Sequence, residues 1–168
     1  TDDILAKIGV KREHLDVQKP VEVGNIFSLA DKFSTPLDLF FTDEDGSRKP
    51  VFMGSYGIGL GRLMGTIVET LSDERGLVWP EVVAPFRVYL VNIGDDEEVV
   101  KAAQRLYDVL KSKNIEVLWN DRAARPGEKF ADADLMGIPH RVVVSNRTLA
   151  LGHKVEYKER QSGASEII

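Results

Sequence analysis

The sequence predicts an α/β fold in the broad, α+β sense: an antiparallel segment feeding a glycine-rich turn and helix, then a small α/β domain. Three observations predict it. "LDLFFTDEDGSRKPVFMGSYG" reads as strand, acidic Asp45–Gly46 turn and strand. From Phe86 onward an apolar strand, an amphipathic helix and a second apolar strand follow one another, the pattern of a parallel β-helix-β unit. Between these blocks, Pro80 and Pro85 interrupt both helix and central strand, so the domains are expected at residues 1–84 and 85–168.

The elements follow in order. Ile4, Leu5 and Ile8 space a short helix, and a polar connection ends at Pro20. Val21 and Val23 alternate around Glu22, which predicts a strand opening "VEVGNIFSLADKFS". After the hairpin, Leu63, Ile67, Val68 and Leu71 recur at helical spacing, and "SDERG" ends that helix. "FRVYLVNI" is apolar nearly throughout, as a strand buried on both faces must be. Residues 97–112 carry the apolar stripe Val99, Val100, Ala103, Leu106, Tyr107 and Leu110, and "IEVLWN" forms the next strand. In "RPGEKFADADLMG", Pro126 marks a helix start and Gly137 its end. "PHRVVVS" and "KVEYKER" read as closing strands with a hairpin between or just after them.

Composition narrows the chemistry. The 168 residues are 43 % hydrophobic and 29 % charged, a globular balance. Cysteine is absent, which excludes disulfides, thiolate metal sites and thiol nucleophiles. No apolar run approaches the roughly 20 residues of a membrane span, and "TDDILAKIGV" lacks the features of a signal peptide, so a cytoplasmic location is expected. The net charge of −5 argues against a generic nucleic-acid binder, yet it is unevenly spread. Residues 1–85 hold 9 Lys+Arg against 14 Asp+Glu, whereas residues 86–168 hold 13 of each. The second half can therefore present a local basic face. His14, His140 and His153 are scattered without metal-ligand spacing, and no metal site is expected.

"GSYGIGLGRLMGTIVE" places four glycines in the eight residues before Arg62. If Gly57, Gly59 and Gly61 alternate along the end of a strand, three missing side chains leave a smooth backbone strip on one face, with Ile58 and Leu60 turned into a core. A flat ring could lie on that strip while the Arg62 guanidinium forks onto phosphate oxygens. The stretch is not a P-loop, since no Gly-Lys-Ser/Thr ends it, and its third glycine comes one residue early for a dinucleotide fingerprint. On the residues alone two readings stand: this cleared strip, or a glycine bend with a solvated arginine.

"GSYGIGLGRL" resembles motif 3 of the class II aminoacyl-tRNA synthetases. Together with "VEVGNIFSLADKFS", "VWPEVVAPFRVYLVNI" and "NDRAARPGEKFADADLMGIPHRVVV", in that order, it resembles the prolyl-tRNA synthetase family from about Val21 to the end. The resemblance implies the end of a class II antiparallel sheet with its motif 3 strand and helix, followed by an anticodon-binding domain whose mixed sheet is flanked by helices. It implies a parent proline–tRNA ligase, in which the amino acid attacks the α-phosphate of a bent ATP and is then passed to tRNA. Arg62 would be the catalytic arginine on the γ-phosphate, with Gly57, Gly59, Gly61 and Arg62 binding ATP. Asn25, Phe27, Ser55 and Gly57 would line the proline pocket. Many relatives have histidine at the position of Asn25 and some have cysteine at that of Ser55, and "LADK" departs from the usual Leu-Gly-Thr-Lys at Ala30 and Asp31.

For the second half the resemblance implies anticodon contacts from Asp121, Arg122, Arg125, Glu128, Lys129 and Asp132, around a helix start whose dipole adds positive charge. By charge alone this cluster reads equally as a solvated helix with ion pairs. The implied partners are tRNA(Pro), proline and ATP with Mg2+ as a substrate complex, with no tightly bound cofactor and no membrane. Motifs 1 and 2 are not found, so the chain alone is expected to be inactive, and the parent is expected to dimerise through a region absent from this sequence. Two alternatives stand beside this: a non-catalytic RNA-binding module built from the same parts, and a class II synthetase of other amino-acid specificity or a small nucleotide-binding protein. Strands without their catalytic neighbours are expected to leave an apolar face exposed and prone to self-association.

Overall fold

Alternation decides where the core sits. In β5 (Val88–Ile93), Val88 and Leu90 face one side and Tyr89 and Val91 the other, and all four are buried. Such a strand must lie at the centre of a sheet covered on both faces, and it does. The computed structural model describes residues 2–168. It divides into two compact units, one up to Leu63 and one spanning Met64–Ile168. The boundary expected from the prolines at residue 84/85 lies inside the second unit.

The second unit is built on a five-stranded mixed sheet of order β6-β5-β7-β8-β9. β6 (Val117–Asn120) and β7 (His140–Ser145) run parallel to β5 on either side, with Leu90 opposite both Trp119 and Val142. β8 (Glu156–Glu159) and β9 (Ser165–Ile167) continue antiparallel. β9 was not anticipated: "SEI" is too short to show a period. The helix α3 (Glu97–Ser112) covers one face, packing Val99 and Ala103 on Val88, Leu90, Val117 and Val144. On the other face, α4 (Pro126–Met136) and the loop after it bring Ala133 and Ile138 against Tyr89 and Val91. Each fully buried aliphatic side chain here contributes about 1.5–3 kcal/mol. Pro126 occupies the first turn of α4 and Gly137 closes it at φ 69°, as expected from sequence. A one-turn helix, α5 (Asn146–Leu149), follows β7 and is capped by the Ser145 hydroxyl, which accepts from the Thr148 amide at 3.2 Å.

Residues 72–79 form a strap on this unit. The Leu77 amide donates to Leu135 O at 3.1 Å and the Trp79 amide to Gly137 O at 3.2 Å. Two glycines permit the approach: a Cβ on Gly76 would lie 2.4 Å from Leu135 Cα, and one on Gly137 only 2.1 Å from Leu77 O. Arg160, itself buried, holds the strap by pairing with Asp73.

In the first unit, α1 (Asp2–Ile8) precedes β1 (Gly24–Ala30), and β2 (Phe40–Thr42) pairs with β3 (Arg48–Pro50) across the expected Asp45–Gly46 turn. β4 (Met53–Ile58) pairs antiparallel with β1 in a separate two-stranded sheet. Helix α2 (Leu60–Leu71) begins in this unit and runs into the next, with Leu63, Ile67 and Val68 half-buried.

Three expectations are corrected. The first strand starts at Gly24 rather than Val21, because its ladder ends opposite Ile58, where β4 gives way to helix. The three glycines do not share one strand face. Only Gly57 lies in β4; Gly59 O accepts the first helical bond from the Leu63 amide at 2.8 Å, and Gly61 is inside α2. Finally, Ile58 and Leu60 do not enter a core in this chain, being 69 % and 76 % exposed. The exposed apolar face itself is present: Ile26 and Tyr56, paired across β1 and β4, are each 77 % exposed.

Candidate functional site

The carboxyl ends of parallel strands and the start of the next helix are where α/β sheets concentrate free backbone groups. In this sheet β6 ends in Asn120 and β5 carries Asn92 as its penultimate residue, and both asparagines are buried. Asn92 accepts from the Trp119 indole at 3.1 Å and donates to Gly94 O at 3.0 Å. Asn120 donates to the Tyr89 hydroxyl and accepts from the Arg122 amide and Nε at 3.3 and 3.2 Å. Arg122 also pairs with Asp132, one turn into α4, and that carboxylate raises the guanidinium pKa further. The result is a fixed arginine at the mouth of the strands.

Lys129 reaches the same place from α4. It is 97 % buried by its 3 % exposure, and its ammonium donates to Asn92 O at 3.0 Å and Asn120 O at 3.3 Å. Two of its three protons are thereby used. Burial lowers its pKa, partly opposed by Asp121. A cation buried among carbonyls, without a paired carboxylate, leaves positive charge to face a ligand.

Two clefts adjoin at Arg122. One, of about 420 Å³, is lined by Asn92, Asp95, Asp121, Arg122, Arg125 and Lys129 among others. The other, of about 340 Å³, lies between β6 and α4, with Tyr89, Leu118, Leu135 and Met136 as apolar walls and Arg122 and Asp132 at its polar side. Four of the expected cluster residues therefore share the first cleft, Asp132 joins Arg122 in the second, and Glu128 lines neither. Sequence reasoning missed Asn92, Asn120 and Tyr89. The available signal was the single amide at or near the end of each apolar run, in "YLVN" and "VLWN".

In the first unit, the β1–β4 register sets Asn25 opposite Gly57 and Phe27 opposite Ser55. All four thus stand on one exposed sheet face. Arg62, exposed in the first turn of α2, donates to Glu22 O at 2.6 Å. A Cβ on Gly61 would face open space, whereas one on Gly59 would touch Arg62 Cβ at 3.5 Å and one on Gly57 would touch Asn25 Oδ1 at 3.8 Å, both ordinary van der Waals contacts. Ala30 departs from the usual backbone: its φ of 46° lies in the left-handed region that glycine favours. Among the described residues no three His, Asp or Glu side chains converge as metal ligands, and no helix is long and apolar enough to cross a membrane.

Comparison with known proteins accords with this layout. Residues 87–168 match the anticodon binding domain family. Proline–tRNA ligase of Rickettsia rickettsii is 42 % identical over 163 residues, which is 96 % of this chain and 38 % of that protein. The chain is related to the prolyl-tRNA synthetases, over their C-terminal region. The ligase of Trichlorobacter lovleyi is 43 % identical over 156 residues, 92 % of this chain and 27 % of its own length. A solved Giardia lamblia prolyl-tRNA synthetase, in complex with prolyl-adenylate, superposes with a TM-score of 0.75 at 25 % identity, covering 87 % of this chain and 31 % of that one. The chain thus spans well under half the length of the synthetases it matches.

Proposed function

We propose that this chain is the C-terminal part of a proline–tRNA ligase, acting in the cytoplasm, in which residues 85–168 read the anticodon of tRNA(Pro). Residues 1–84 would contribute the motif 3 strand and helix to a catalytic site completed by other parts of the parent. The observation that carries the reading is the convergence of Arg122, Arg125 and buried Lys129 on one cleft, at the carboxyl ends of β5 and β6 and the start of α4. Phosphate oxygens meet Arg125, the helix terminus and the remaining Lys129 proton. An unstacked base enters the neighbouring apolar cleft, where Asp132 accepts from a guanine edge and Arg122 donates to it.

In the parent, Arg62 holds the γ-phosphate of ATP and Mg2+ accompanies the nucleotide as part of the substrate. The space beside Gly57, Gly59 and Gly61 admits the nucleotide against the backbone, while Asn25, Phe27, Ser55 and Gly57 face proline. This protein contribution is positioning and charge stabilisation, which is what adenylate formation needs. The exposed apolar side chains of β1 and β4 favour a missing neighbour in a larger enzyme over a free-standing RNA module.

Binding of the chain to proline tRNA transcripts, intact and with both anticodon guanines replaced, tests the reader across a salt series. Selective loss on replacement is expected, together with a weaker, shallower salt response in Arg125→Ala. Equal weak binding that vanishes with salt would mean phosphate attraction only. The purified chain is expected to show no proline-dependent ATP–pyrophosphate exchange, and exchange activity would refute the division of labour proposed here.

A further inference from the structure

A third cleft, of about 420 Å³, lies on the α3 side of the sheet, on the face opposite α4. Its size falls at the lower end of small-molecule sites, which run to roughly 300–1,000 Å³. Its lining is aliphatic: Ala102 and Leu106 from α3, Val144 from β7, Leu149 from α5, and Val155. Only two polar residues line it, Arg105 and His153, and both are basic. No acidic residue lines it, and among the described residues neither basic side chain has a hydrogen-bond or ion-pair partner. That distinguishes Arg105 from Lys101 on the same helix, which pairs with Glu97 at 2.5 Å.

The chain at His153 is fixed in an uncommon backbone conformation. His153 sits at φ 58°, a conformation that non-glycine residues rarely adopt. Its amide closes α5 by donating to Leu149 O at 2.9 Å, and the Lys154 amide donates to Thr148 O at 3.1 Å. His153 and Arg105 are both exposed and stand at the rim of the cleft, above its aliphatic lining. An apolar floor beneath two unpaired cationic or N–H-donating groups is complementary to a molecule with one anionic head and a short aliphatic body. A bare phosphate would leave the floor unused, and an uncharged alkane would leave the arginine unanswered.

We propose that this cleft binds a small amphiphilic carboxylate, with its aliphatic body on Val144, Leu149 and Val155 and its carboxylate between Arg105 and His153. The site is separate from the RNA-reading cluster and does not depend on that assignment. The test is an amide-resolved NMR titration of the full chain with hexanoate, run beside hexylamine, inorganic phosphate and a proline tRNA transcript. Hexanoate is expected to shift the amides of Ala102, Leu149 and Val155 saturably, while hexylamine and phosphate leave them unmoved. Arg105→Gln, a surface change that spares the fold, should weaken hexanoate about tenfold, the order of one charge-assisted hydrogen bond. His153→Asn should also weaken it, while keeping the left-handed backbone that asparagine tolerates. The proposal fails if hexanoate gives no saturable shift up to its solubility, if phosphate or hexylamine reproduces the shifts, or if Arg105→Gln binds as the parent does. It also fails if the tRNA transcript moves these amides in preference to hexanoate, which would make the cleft a nucleic-acid contact.

Discussion

Arg160 grips Asp73 with both terminal nitrogens, at 2.7 and 2.6 Å, across 87 residues of sequence. The guanidinium is buried and also donates through Nε to Asp134 O at 3.2 Å. Asp73 in turn accepts from the amides of Arg75 and Gly76, which shapes the strap. Arg160 first, and these amides after it, hold the Asp73 carboxyl well below the usual carboxylate range.

The first prediction concerns acid. A carboxylate whose folded pKa lies below its unfolded value of about 3.9 stabilises the fold fully above about pH 5, and the contribution is lost as pH falls through the folded pKa. Asp73→Asn should therefore be less stable than the parent at pH 7, and the gap should shrink as pH falls toward 2. Urea unfolding followed by Trp79 and Trp119 fluorescence measures both ends. A gap independent of pH would refute the assignment.

Glycine separates close approach from backbone strain. Gly137 and Gly163 have φ of 69° and 70°, but a Cβ would strike Leu77 O only at the first. Gly163→Ala should cost about 1 kcal/mol, the left-handed penalty partly offset in the unfolded chain. Gly137→Ala should cost roughly 2–5 kcal/mol, because the strap must also shift. Equal losses in urea titrations would show that the strap moves aside freely.

Ala30 offers the reverse experiment. Its φ of 46° is strained for alanine and comfortable for glycine. Ala30→Gly should stabilise the β1–β4 sheet by about 0.5–1 kcal/mol after glycine's greater unfolded entropy is deducted. Both tryptophans lie in the second unit, so slower exchange of the Asn25 and Phe27 amides, which face β4 in the ladder, is the suitable readout. Unchanged exchange would mean that the bulge between Ser28 and Ala30 already absorbs the strain.

Burial lowers the Lys129 pKa, so here the fold disfavours the charged form, whereas at Asp73 it favours it. Between its folded pKa and its unfolded value of about 10.4 the unfolded chain holds more protons, and stability rises with pH. The parent should therefore gain stability relative to Lys129→Met between pH 7 and pH 10. Thermal unfolding of the two proteins at both pH values decides it, and a constant difference would place the ammonium in a better solvated setting than its burial implies.

The sequence by itself determined the elements whose causes are local or periodic. The doubly buried run of β5, the stripe of α3, the Pro126 and Gly137 ends of α4 and the Asp45–Gly46 turn all follow from side-chain spacing and backbone preference, and the structure contains each of them. The charged residues around α4 were also visible, though not which of them would meet. Tertiary structure alone decided the rest. Burial of Lys129 depends on carbonyls near the ends of two strands, Asn120 nine residues away and Asn92 37 residues away. The break between Gly57 and Gly61 depends on where β1 stops pairing, and the strap depends on Arg160, which no local pattern connects to Asp73. The physical reason is common to all three. Periodicity reports which face of an element is apolar, whereas a buried charge or a close backbone approach is settled by a partner that only the folded chain brings near.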